Sequence, residues 1–198
     1  MFLHMLSDRD KEEFLKVATL LSLSDNELHW DGKTLDELTG NVSLDSAAFR
    51  EMDAEKNILN SFMLECGKDT SRTWVHVGIG RTKDFLFTEV EKDLLKRLTV
   101  LPLKKMNDPD ERIKAAAAVL QDVFDHMEAC VSPASPKAML YELMLLALAD
   151  GEISFVEDAL LKQFSTFHKL DELTYDDLLD RAKSMNVEAN KTLSLILE

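Results

Sequence analysis

The sequence predicts an all-α protein, a helical bundle of two related halves, with one short β-hairpin expected around 73–88. Three observations carry this. Apolar residues recur at spacings of three and four along most of the chain. Helix-start chemistry precedes those stretches at Ser7, at Asp108-Pro109, at Ser154-x-x-Glu157 and at Thr174-x-x-Asp177. Finally, an apolar helix that runs into Asp150-Gly151 and on into a second capped helix has a second copy near the start of the chain.

In chain order, Ser7 caps a helix to about Ser22 with an acid-rich first turn and Phe14, Val17, Ala18 and Leu21 on one face. A turn at Asp25-Asn26 follows, then a bend at Trp30-Asp31-Gly32 and a short helix capped by Thr34. Ser43 or Asp45 starts the next helix, which carries Phe49, Met52, Ile58, Leu59, Phe62 and Met63 and stops at Gly67. Thr73–Val77 and Asp84–Thr88 are rich in β-branched and aromatic residues around Gly78-Ile79-Gly80-Arg81, the pattern of a hairpin. Gly78-x-Gly80 lacks the spacing of a phosphate loop and reads as a turn. A helix Glu89–Leu98 comes next. Pro109 opens another with a stripe of Ile113, Ala117, Leu120, Phe124 and Met127. Pro136 starts the most apolar helix, Asp150-Gly151 turns it, and Val156, Leu160, Phe164 and Phe167 line the one that follows. Thr174 caps a penultimate helix and Val187–Leu197 forms the last, eight or nine in all. The organisation expected is an N-terminal half, 1–66, an insertion, 67–105, and a C-terminal half, 106–198.

The chain has 198 residues, 45% hydrophobic and 30% charged, which suits a folded protein with a substantial core. No apolar run approaches the roughly 20 residues of a membrane span, and Met1–Leu6 is too short for a signal-peptide core. Cys66 and Cys130, outside any CxxC pattern, are expected as reduced thiols, pointing to a cytoplasmic protein. The net charge of −14 is uneven: ten acids face two bases between Glu142 and Asp180. Such a field argues against nucleic acid as the partner and suits a cation or a basic protein surface; a solvated face that confers solubility is the plainer reading.

The acidic turns are the leading candidate site: Asp25, Glu27 and Asp31 in one copy, and Asp150, Glu152 and Glu157 in the other. Carboxylates converging on a turn suit calcium or magnesium, which take oxygen ligands. A structural reading stays open beside it, with Asp150 shaping the turn and Glu157 closing a capping box with Ser154. The Asp150 turn is not an EF-hand, because Leu146 and Leu148 would stand where the first two ligands belong. His126 and Cys130, four apart, have a spacing that can hold zinc, with Cys66 as a third ligand; core packing is the competing reading.

The doubled helix–acidic turn–helix unit resembles the TerB-like family, named for a tellurite-resistance protein. The resemblance is carried by Ala149-Asp150-Gly151-Glu152-Ile153 with Glu157, and by Asp25-Asn26-Glu27-Leu28. It covers Pro109–Met185 and Ser7–Cys66 but nothing between Gly67 and Lys105. It implies an acidic, divalent-metal-binding surface, in which Asp150 and Glu157 match the DGxIxxxE pattern and Asp25 matches in the first copy. Asn26 departs from the glycine of that pattern. By analogy the protein is a non-enzymatic module serving a stress-response or membrane-associated assembly through a protein partner. Tellurite handling does not follow, since two lone cysteines make no reducing pair. The rivals are a metal-independent co-chaperone-like or regulatory adaptor, although no His-Pro-Asp signature of a J-domain is present, and, ranked last, a metal-dependent hydrolase.

Overall fold

Two helices, α1 (Asp8–Ser24) and α5 (Ser135–Ala147), lie at the centre of the structure and pack on each other. The computed structural model describes residues 1–30, 32–38, 47–50, 53–68 and 85–197. Around the central pair stand α2 (Asp53–Glu65), α3 (Phe85–Thr99), α4 (Pro109–Asp125), α6 (Phe155–Phe167) and α7 (Glu172–Leu197), making seven α-helices among the described residues. The protein is therefore mainly helical, with one small antiparallel sheet among the described residues, of β1 (Leu28–Trp30) and β2 (Ala47–Phe49).

The central helices are those with the least polar interiors. On α1, Phe14, Val17, Ala18 and Leu21 are buried as the periodicity requires, but so are Leu15 and Leu20, so the helix is covered nearly all round. On α5, Met139, Leu140, Leu143, Met144 and Leu146 are all fully buried. Phe14 meets Phe62 of α2 edge-on at 5.1 Å. One hydrophobic cluster takes side chains from every helix, including Val90, Leu94 and Leu98 of α3. The segment read as an insertion thus supplies a helix to the common core, packed against α1 and α4.

Local chemistry explains most helix ends. Ser7 accepts from Asp10 N–H, Asp108 from Asp110 and Glu111 N–H, and Ser154 from Glu157 N–H. Gly67, at φ +74°, ends α2, with Lys68 N–H donating to the Met63 carbonyl.

Several expectations are corrected. The helix expected from Ser43 or Asp45 begins only at Asp53, and Phe49 lies in β2, where it pairs with Leu28. The β2 pairing shows that tertiary context overrides helical periodicity there. Of the hairpin expected around 73–88, residues 73–84 lie outside the described residues. From Phe85 the chain is helical, since α3 extends the four-residue spacing of Val90, Leu94 and Leu98 backwards. The stripe on α4 is rotated: Ala116, Val119, Leu120 and Phe124 are buried, whereas Ile113 and Ala117 are half-buried. The two last helices are one, α7, and its cap is Asp171, which accepts from Thr174 N–H at 2.8 Å.

Candidate functional site

The turns after the two central helices bring three carboxylates together. Asp25 is the C-cap of α1, and Glu157 is the third residue of α6, the helix that follows α5. The third member is Glu55, again the third residue of its helix, α2. One ligand oxygen from each lies within 4.8 Å of the others. Asp25 is exposed, whereas Glu55 and Glu157 are 5% and 2% exposed, so the cluster opens to solvent on one side only.

Glu157 closes the capping box that its sequence context predicts. One carboxylate oxygen, Oε2, accepts from Ser154 N–H at 2.8 Å and completes the capping box, while Oε1 is buried without a hydrogen-bond partner. Glu55 likewise bonds Ser22 through its side chain and leaves Oε2 buried and unpartnered. Burial, with the charges of Asp25 and Glu55 added, pushes the Glu157 carboxyl up to about 8. Burial, then Asp25 and Asp150, push Glu55 up to about 7. Two buried oxygens with spare lone pairs, beside a third carboxylate, form a set of hard ligands that a divalent cation would satisfy.

Arg112 braces this end of the molecule. Its buried guanidinium donates to the carbonyl oxygens of Ser24 at 2.9 Å and Met106 at 3.1 Å, so it holds the last turn of α1 beside Asp25. Asn26 does not adopt the left-handed conformation expected of a glycine substitute, because Lys169 alone among the described non-glycine residues has a positive φ. Instead its side chain donates to the Ser22 carbonyl at 2.6 Å, which ends α1 by a side-chain bond. Gly151 does use its freedom, at φ +107°.

Of the six acids singled out in the sequence, the structure brings Asp25 and Glu157 into the cluster. Asp150 stands close enough for its charge to act on Glu55, but its Oδ1 accepts from Glu152 N–H at 3.2 Å and shapes the turn. Glu152 is exposed beyond it. Glu27 faces away towards Arg50 and His29, at 3.6 and 3.4 Å, and Asp31 lies outside the described residues. Thr34, expected to cap a short helix, forms a capping box with Glu37 on a 3-10 turn, Leu35–Glu37. Glu55 was missed because some thirty residues, including β1 and β2, separate it from Asp25. The signal that could have found it is an acid at the third position of the helix following the first turn.

The zinc reading of His126 with Cys130 does not survive. The helix ends at Asp125, His126 is its C-cap with Nδ1 at 2.7 Å from the Asp122 carbonyl, and Cys130 faces His168 instead. No helix among the described residues is long and apolar enough to cross a membrane. No family model matches the chain, and no curated protein or solved structure matches it either.

Proposed function

We propose that the chain is a non-enzymatic binding module of the TerB-like kind, whose Asp25–Glu55–Glu157 cluster takes a divalent cation and whose acidic face meets a protein partner in a stress-response assembly. The observation that carries the reading is the cluster itself: three ligand oxygens within 4.8 Å, on two of whose side chains a buried oxygen has no other partner. Calcium or magnesium fits an all-oxygen set of this kind. The partner and the stress-response setting rest on the resemblance alone.

The test is thermal melting in EDTA, calcium, magnesium and manganese, for the wild type and for Glu55→Gln/Glu157→Gln. An ion at 100 times its Kd adds about 2.7 kcal/mol to stability, which is roughly 5–10 °C for a chain of this size. An ion-selective shift of that order, absent from the double variant, is the expected result. Superimposable wild-type melts in all four buffers would refute the cation site.

A further inference from the structure

At the opposite end of α1, about 20 Å from Asp25 along the helix, lies a second group of buried ionisable side chains. Asp10 is fully buried and neither of its carboxylate oxygens has a hydrogen-bond partner. Glu13, one turn on, is 8% exposed and leaves Oε2 unpartnered. The charges of Asp10 and Glu13 reach Cys130, from the connector between α4 and α5, and that of Asp10 reaches His168, the C-cap of α6; Sγ and Nδ1 of this pair are 4.0 Å apart and Nε2 is buried and unpartnered. We propose that Cys130, His168, Asp10 and Glu13 form a second cation site, for a thiophilic divalent metal of the zinc class.

The donor set decides the class of metal. Thiolate, imidazole and carboxylate together suit zinc, while calcium and magnesium take oxygen alone. Bonds of about 2.3 Å to sulfur and 2.0 Å to nitrogen place those two atoms about 3.5 Å apart in a tetrahedral site, so the Cys130–His168 pair has only about half an ångström to close. Asp10 and Glu13 are three apart on one helix face, where both can reach the same point. Among the described residues only the Asp25 cluster has three ligand atoms already within 4.8 Å; here the sulfur and nitrogen are paired, and binding requires a carboxylate of α1 to turn towards them.

The surroundings fit a cation rather than a nucleophile. Asp10 and Glu13 act on the Cys130 thiol, and burial with these charges pushes it up to about 11. That opposes the electropositive setting a reactive thiolate needs. Burial holds the His168 ring down to about 4, in the neutral form that ligates metals. Arg9 offsets part of this negative charge, standing 3.9 Å from Asp10, but its guanidinium is also engaged by the Glu128 carboxylate and donates to the Ala129 carbonyl at 2.6 Å. On binding, the Cys130 proton leaves to solvent as the sulfur–metal bond forms, with no change of oxidation state.

Cobalt(II) is the probe, because a thiolate ligand produces a near-ultraviolet charge-transfer band that carboxylates cannot. The full-length reduced protein titrated with cobalt should develop that band together with the strong visible absorption of a tetrahedral site, and zinc should abolish both. The band should survive Cys66→Ser and Glu55→Gln/Glu157→Gln, and vanish in Cys130→Ser and His168→Gln. Zinc should also protect Cys130, but not Cys66, from alkylation in the wild type, a reading that requires no variant to fold. No band at saturating cobalt, a band that persists without Cys130 or His168, or equal alkylation of Cys130 with and without zinc would each overturn the proposal. Failure here leaves the all-oxygen site untouched, since that site is read by melting and contains no sulfur.

Discussion

Glu55 and Glu157 stand at the same place in two different helices, the third residue of α2 and of α6, and their carboxylates meet in one cluster with Asp25. Glu157 follows the turn that leaves α5, whereas β1 and β2 lie between α1 and Glu55. A third-position acid is ordinarily a helix-start device, satisfied by its own backbone and the helix dipole. Here Glu157 still caps through Oε2, while its Oε1 and the Oε2 of Glu55 are buried without a partner.

The cap and the cluster can be separated by mutation. Ser154→Ala removes the hydroxyl that accepts from Glu157 N–H and should cost about 1 kcal/mol, read as a lower denaturant midpoint with an unchanged slope. Asp25→Asn changes an exposed C-cap and should leave the melting temperature in EDTA within about 2 °C of wild type. It should nevertheless reduce the shift produced by the cation.

The pH dependence has a definite sign. Glu55 and Glu157 have folded-state values near 7 and 8, above the ordinary 4.5, so between those limits the folded state holds more protons than the unfolded one. Their contribution is complete below the ordinary value and is lost as pH rises through 7 and 8. Melting in EDTA should therefore fall from about pH 5 to about pH 8 and level off above, and Glu55→Gln/Glu157→Gln should flatten that slope. A saturating cation should restore more stability at the alkaline end than at the acid end. Parallel profiles for wild type and double variant would remove the electrostatic account of the cluster.

Gly151 sits at φ +107°, a region that side chains rarely adopt. Gly151→Ala should cost about 1 kcal/mol or more through backbone strain alone, since no atom lies within 4 Å of the added methyl group. Because Asp150 and Glu152 share this turn, the cation-dependent shift should also change. Thermal melts with and without the ion measure both effects.

Phe14 and Phe62 tie α1 to α2 in the core, both at or below 1% exposure. Phe14→Ala should cost about 3–5 kcal/mol, the loss of a buried aromatic plus its cavity. The edge-on pair adds about 1 kcal/mol beyond area, so the two single alanine variants should be non-additive in chemical denaturation.

The sequence by itself determined the fold class, the apolar central helices, most of the caps and two of the three acids in the cluster. These are legible because they depend on neighbours within a few residues: a serine three positions before a glutamate, or apolar residues one turn apart. Tertiary structure decided the rest. Phe49 became a strand residue because Leu28 was available to pair with it. Likewise α3 ran helical from Phe85, and α7 continued unbroken through Val187. Glu55 entered the cluster, and His168 rather than His126 came to face Cys130, because helix packing joins residues 30 and 38 positions apart. Local patterns record how a segment folds against its own backbone; which side chains share a buried point in space is set by how the helices dock, and no local spacing encodes that.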